Sequence, residues 1–225
     1  MARLDPTEVL DAAKRQAAQS QAPILQQGQF FLGGTAVALH LGNRLSRDLD
    51  WFTPLQFDGR RLVKVLASLK PEPSKIEQSG PDTVRAYYDE PGSAMLLETS
   101  FLHYSQVSAS PATMDVAGVR VPVADLVTLA AMKSGAILNR GAKRDFLDVH
   151  AITNSPSWSM ERFVRVAEEK LRIAPAHLCR ALTYFVDADR DPDPAGTQAS
   201  WNQVKQDVVR AVRALERNRG PDRGR

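Results

Sequence analysis

A chain of 225 residues with 43% hydrophobic and 24% charged residues is long enough to bury a core and is neither low-complexity nor membrane-like in composition. A net charge of +3 permits a nucleic-acid partner without requiring one, and the single cysteine, Cys179, excludes an internal disulfide framework and a cysteine-based zinc site. No apolar run reaches transmembrane length, and residues 1–20 lack the apolar stretch of a secretory signal, so a cytoplasmic protein with no membrane partner is expected.

Residues 1–29 read as a surface helix capped by Thr7, with Leu10, Ala13 and Ala17 at helical spacing, then a glutamine-rich loop approaching the core. An apolar strand over 29–32 feeds a Gly33-Gly34 turn. Thr35 is the expected N-cap of a short helix over 36–41, which Gly42-Asn43 stops. Arg44, Ser46 and Arg47 form a basic turn before a strand over 48–52, ended by Thr53-Pro54. Residues 60–69 predict an amphipathic helix, broken by Lys70-Pro71-Glu72-Pro73. Strands over 75–78, 83–88 and 94–104 follow, then a short one over 116–121 interrupted by Gly118. One βα step followed by a run of antiparallel-type strands predicts an α+β fold, a mixed sheet with helices against it.

After Pro122 the chain turns helical, with helices predicted over 125–138, 143–152, 160–172, 175–186 and 200–217. The expected division is therefore an α+β core with an N-terminal helix over 1–122, and a helical region over 123–225 that completes the active-site cleft. Cys179 falls in a helix and reads as a buried core thiol. Asp187, Asp189, Asp191 and Asp193 alternate as in a calcium loop, but the glycine and terminal glutamate are missing and prolines interrupt, so a flexible acidic loop is expected. The four histidines show no metal-ligand spacing. The basic tail from Arg210 reads as a solvated helix end, with nucleic-acid binding as the alternative.

The chemistry concentrates in two places. Gly33-Gly34 before a helix suits close approach of a phosphate to backbone N–H groups, although such turns also serve structure alone. It is neither a P-loop nor a dinucleotide fingerprint. Asp48 and Asp50 share one face of an apolar, central strand, where two like charges repel; a divalent cation relieves this, and so does pairing with Arg44 or Arg47. Glu98 is a candidate third ligand or a solvated strand acid, and shares a face with Ser100. Lys133 interrupts an apolar helix surface, either snorkelling or contacting a triphosphate. Asp145 is a first-turn acid favoured by the helix dipole, and Asp148 is spaced to pair with Arg144. With Arg140 and Lys143 these residues are denser charge than a solvated face needs.

Together these segments resemble a known family. GGTAVALHLGNRLSRDLDWFT is similar to the first motif of the AbiEii/AbiGii nucleotidyltransferase toxins: a Gly-Gly-Thr turn, a short helix, Arg-x-Ser-x-Asp-Leu-Asp and a following aromatic. MKSGAILNRGAKRDFLDVHAI resembles the second block, a lysine on one helix followed by Asp-x-x-Asp on the next, and SWNQVKQDV looks like the closing helix. The resemblance implies a polymerase-beta-like nucleotidyltransferase core with a C-terminal helical bundle. It implies transfer of a nucleoside monophosphate from an NTP, with Mg²⁺ or Mn²⁺, to an RNA acceptor, foremost tRNA. It also implies a toxin of a toxin–antitoxin or phage-defence system, with a cognate antitoxin as partner.

Carried over by position, Gly33, Gly34 and Thr35 hold phosphates, Asp48 and Asp50 hold metal, Lys133 contacts the triphosphate, and Asp145 and Asp148 complete or organise the site. Arg44, Ser46, Arg140 and Lys143 join them as candidate nucleotide-binding residues, and Asp145 is the candidate for assisting deprotonation of the acceptor hydroxyl. Where many relatives of the fold carry a third strand carboxylate, this chain has Ser100, with Glu98 two residues earlier. Two other classes stay open: a nucleotide-binding regulatory module without turnover, and transfer to a protein hydroxyl.

Overall fold

Alternation along residues 49–53 organises the architecture. Leu49, Trp51 and Thr53 are fully buried in the core, while Asp50 and Phe52 emerge on the opposite face, as a period of two requires. The computed structural model describes residues 3–90, 95–106 and 111–219. Ala94 of the expected strand, and Arg223 and Arg225 of the basic tail, lie outside them. The strands are β1 (Phe31–Leu32), β2 (Leu49–Thr53), β3 (Lys75–Gly80), β4 (Thr83–Asp89), β5 (Leu96–His103), β6 (Ala112–Val116) and β7 (Val119–Val123). They form one sheet in the order β3-β4-β5-β2-β1-β7-β6, so β2 is central as predicted. β2 runs parallel to β5 and β1 parallel to β7, while the other neighbours are antiparallel; the sheet is mixed.

Nine α-helices accompany it among the described residues: α1 (Pro6–Val9), α2 (Ala12–Gln27), α3 (Gly34–Leu41), α4 (Gly59–Leu66), α5 (Leu126–Asn139), α6 (Lys143–Thr153), α7 (Met160–Leu171), α8 (Pro175–Leu182) and α9 (Trp201–Arg219). α5 packs on α6, α7 and α8, and both α5 and α6 pack on α3, so the late helices close directly over the first motif. Phe146, Phe185 and Trp201 interlock between α6 and α9 with ring centroids 4.9, 5.7 and 5.9 Å apart. Cys179 is buried on α8. Pro122, the expected division, falls inside β7, which remains part of the sheet. No helix among the described residues is long and apolar enough to cross a membrane.

Four local expectations are corrected. Asp5 and Asp11, rather than Thr7, cap the first two helices, because a carboxylate accepts from the first-turn N–H groups; Thr7 instead donates its own hydroxyl to Asp5 at 2.6 Å. The glutamine-rich stretch is helix rather than loop, and α2 keeps one side exposed while its other face packs into the core. Its Gln21 is fully buried, accepting from Trp51 Nε1 at 2.9 Å and donating to Tyr88 Oη at 3.0 Å and Thr99 Oγ1 at 2.9 Å. The single strand expected over 116–121 is a hairpin turning at Ala117-Gly118, both with positive φ, as the tightest hairpin loops demand. The acidic loop over 187–196 is anchored rather than flexible: the Lys143 backbone N–H donates to Asp191 at 2.8 Å, Leu45 N–H to the Ala195 carbonyl at 2.8 Å, and Lys205 pairs with Asp189 at 2.8 Å.

Candidate active site

The glycine turn connects β1 to α3, and Gly33, not Thr35, is the helix N-cap. The Gly33 N–H donates to the Asp50 carbonyl at 3.2 Å, which places the turn beside the end of β2. A Cβ at Gly33 would lie 2.4 Å from the Phe52 ring, so only glycine fits there. At Gly34 the nearest atoms to such a Cβ are Lys133 Nζ at 3.8 Å and Arg44 Nη2 at 3.9 Å, so the backbone there faces two cations across open space. Thr35 is turned inward. Its hydroxyl meets Ser46 Oγ at 2.7 Å and donates to the Asp48 carbonyl at 2.8 Å, so Thr35 and Ser46 shape the loop that delivers Asp48 instead of offering hydroxyls to a ligand.

The turn opens onto a cleft of ≈ 1130 Å³ between the β2/β5 face, α5 and the loop over 191–195. Asp48 and Asp50 both line it, and neither is fully buried. Burial and the neighbouring Asp50 raise the Asp48 carboxyl above its ordinary range, against the opposing pull of Arg47, Arg144 and Lys14. Arg44 does not relieve the pair, since its guanidinium is committed elsewhere. Ser100 lies directly opposite Asp50 in the β2–β5 register and donates its hydroxyl to Asp50 Oδ1. Glu98 opens into the same cleft but pairs with Arg85 at 3.3 Å; burial raises its carboxyl, and Asp48 and Asp50 raise it further. Among the described residues no three acidic, histidine or cysteine side chains gather into a metal-holding group, so Asp48, Asp50 and Glu98 do not close up as a triad. The two aspartates, a carboxylate pair with no ion-pair partner among the described residues, fit a divalent cation that completes its oxygen shell from water and substrate.

Behind the cleft wall lies a buried charge cluster. Lys133, 6% exposed, reaches Asp145 at 3.0 Å and Asp148 at 2.7 Å, and both aspartates are fully buried. Arg44 grips Asp148 at two points, 2.8 and 2.9 Å, and Asn43 donates to the same carboxylate at 2.9 Å. Arg140 grips Asp145 through contacts of 2.8 and 3.0 Å. Burial alone would raise the Asp145 carboxyl, but Lys133 and Arg140 outweigh it and hold it well below the usual carboxylate range. Asp148 is lowered likewise, by Arg44 and Lys133 against burial. Three cations against two carboxylates leave an excess positive charge facing Gly34.

This arrangement redistributes several expected roles. Asp148 pairs with Arg44 and Lys133, not Arg144, because its side chain points into the α3–α6 contact. Asp145 is poorly suited to accept a proton from an acceptor hydroxyl, because both its oxygens are occupied by cations and it lies out of reach of the cleft. Lys143 is drawn away to the Asp191 carbonyl and to Asp193 at 3.1 Å. Gly34, Lys133, Arg44 and Arg140 are brought together around the turn, and Asp48 and Asp50 lie beside them. Asn43 is read from sequence only as a helix stop and the cleft-lining Tyr104 carries no motif, while the cleft-lining Phe52 and Met132 fall inside the two motif segments but receive no role there.

The family model for the nucleotidyl transferase AbiEii toxin, Type IV TA system, matches residues 20–221. In sequence the chain is similar to the uncharacterized protein aq_aa25 of Aquifex aeolicus (strain VF5), 25% identical over 197 residues that cover 84% of this chain and 88% of that one. Among solved structures, a provisionally assigned nucleotidyltransferase from H. pylori matches with a TM-score of 0.57 at 16% identity, covering 93% of this chain and 95% of the other. JHP933 from Helicobacter pylori matches with a TM-score of 0.57 at 18% identity, over 93% and 92%. At these identities the likeness is one of fold: the mixed sheet and flanking helices are shared with nucleotidyltransferase-like proteins.

Proposed function

The chain belongs to the AbiEii family of nucleotidyl transferase toxins, and on that premise we propose that it transfers a nucleoside monophosphate from an NTP to an RNA acceptor, tRNA foremost. The observation that supports this reading is the Asp48–Asp50 pair, Asp50 on the central strand and Asp48 immediately before it, beside the Gly33-Gly34 turn and in the same cleft as Lys133, Arg44 and Arg140. Asp48 and Asp50 are the residues that would hold Mg²⁺ or Mn²⁺, whose chemistry when bound is to neutralise the triphosphate and acidify the attacking hydroxyl.

The chain's own groups account for the rest. At the start of α3 the Gly33 and Ala36 N–H groups donate to the Asp50 and Gly33 carbonyls at 3.2 and 2.9 Å, so the Gly34 and Thr35 N–H groups are the ones offered to phosphate oxygens, and the bare Cα of Gly34 lets those oxygens approach. Lys133 supplies a point charge at the same place, and Arg44 and Arg140 add to the positive field. Asp145 and Asp148 act as positioning residues: they fix Lys133 and the two arginines so that little reorganisation is needed as charge develops on the leaving pyrophosphate. Ser100 orients Asp50 through its hydrogen bond. Glu98 remains a candidate ligand if it leaves Arg85. Membership of a toxin–antitoxin family also points to a cognate antitoxin as a partner.

The test is incubation of the purified chain with each α-labelled NTP, Mg²⁺ and total RNA, followed by denaturing electrophoresis. Label is expected in an RNA band and absent with Asp48→Asn or Asp50→Asn. Label retained in both variants, or found in protein instead of RNA, overturns this reading; NTP binding without any transfer identifies a regulatory module.

A further inference from the structure

The cleft is chemically polarised along its strands. Asp50 and Phe52 succeed one another on the cleft side of β2, with Asp48 immediately before the strand, and Glu98, Ser100 and Leu102 do so on β5, with Tyr104 just beyond. The parallel register sets Asp50 against Ser100 and Phe52 against Leu102. Oxygen-bearing side chains therefore occupy one stretch of the floor and apolar ones the next, about 7 Å further along.

The apolar stretch is a built shelf. Phe52 lies directly under Gly33, and Met132 Cε reaches to 3.2 Å from the position a Gly33 Cβ would take. The Tyr104 ring meets Phe52 edge-on, with centroids 6.0 Å apart and planes at 79°. The Tyr104 hydroxyl rests against α5 at Gly135, 3.5 Å from where a Cβ would stand. Both rings are only partly buried and both line the cleft. Beyond Asp48, at the other end, Lys14, Arg47 and Arg144 all act on the Asp48 carboxyl through their charge. That end suits phosphates and is a poor place for an uncharged ring.

We propose that the donor nucleotide lies along the strands with its nucleobase stacked on the Phe52–Tyr104 shelf and its phosphates at Gly33-Gly34, leaving the Arg47–Arg144 end for the phosphate backbone of the acceptor. This rests on the nucleotidyl-transfer reading and adds the donor's direction to it. Every base has a flat face, so the shelf supplies affinity for any nucleobase without choosing among them.

The test is calorimetry on the full chain with ATP, GTP, CTP, UTP and inorganic tripolyphosphate, each with Mg²⁺. Tyr104→Ala is expected to weaken every NTP that the wild type binds by about 5- to 150-fold, the range of one base–aromatic stack, while tripolyphosphate binds as before. Tyr104→Phe, which keeps the ring, is expected to restore NTP affinity. Unchanged NTP affinity in Tyr104→Ala overturns the shelf, and so does an equal loss of tripolyphosphate. A wild-type chain that binds tripolyphosphate and NTPs equally well overturns the shelf alone. One that binds neither removes the nucleotidyl-transfer reading and the shelf with it.

Discussion

Arg44 and Asp148 stand 104 positions apart in the chain and form a two-point ion pair, Nε to Oδ1 at 2.8 Å and Nη2 to Oδ2 at 2.9 Å. Arg44 is 5% exposed and Asp148 is fully buried, so the pair joins the turn after α3 to α6 with little exposure to solvent, Arg44 alone reaching the cleft. It also sets the height of Lys133, which shares Asp148.

Breaking this pair from one side is expected to be costly. Asp148→Ala leaves the largely buried Arg44 and Lys133 without that partner, and removal of one partner of a buried pair typically costs about 3–5 kcal/mol. Urea unfolding should show that loss, and Arg44→Met combined with Asp148→Leu should cost less than the sum of the single changes. Full additivity in that cycle would falsify the coupling.

Acid should reveal the same cluster. Asp145 and Asp148 have folded-state carboxyls below the ordinary range, so the unfolded chain binds their protons first as pH falls. Their stabilising contribution is complete above the unfolded value of ~3.9 and is lost as pH drops below it. Unfolding free energy measured from pH 7 to pH 2 should fall below about pH 4, and less steeply in Asp145→Asn. An identical acid slope in that variant would count against the assignment.

Asp48 has the opposite sign. Its carboxyl is raised by burial and by Asp50, so its ionisation at neutral pH opposes folding. Asp48→Asn is therefore expected to melt at the same temperature as the wild type or higher, while NMP transfer is lost. Added Mg²⁺ should raise the melting temperature of the wild type and not of Asp48→Asn, because only the former offers two carboxylates. A variant that melts lower in metal-free buffer would contradict this account.

Gly34→Ala separates folding from binding. The added methyl meets nothing closer than 3.8 Å, and alanine favours a helix over glycine by up to ~1 kcal/mol, so stability should hold or rise. The same methyl projects toward Lys133, where phosphate is expected. NTP affinity should fall about tenfold, equivalent to ~1.4 kcal/mol. Unchanged affinity, measured calorimetrically, would place the phosphates elsewhere.

The readable parts of the chain were those governed by local rules. The spacing of Asp48 and Asp50 places them on one side of the chain because side chains alternate, and both line the cleft although Asp48 stands just ahead of β2. Gly42 ends α3 in the left-handed conformation that glycine accepts. Gln21 was illegible: one glutamine among several in its region, it is distinguished only by Trp51, Tyr88 and Thr99 meeting its amide from three other segments. Tyr104 was illegible for a similar reason, since a strand-end tyrosine has no motif and becomes a cleft wall only when α5 lies against it.

By itself the sequence determined the mixed α+β order, the late helices, the glycine turn and the paired aspartates, because periodicity and turn chemistry act over a few residues. Only the tertiary structure decided which charges are spent on one another and which face the cleft. Arg44, Asp145 and Asp148 went to a buried cluster, and Asp48 and Asp50 have no ion-pair partner among the described residues. Ion pairing inside a protein depends on which side chains share a site with little water, and long-range packing alone sets that.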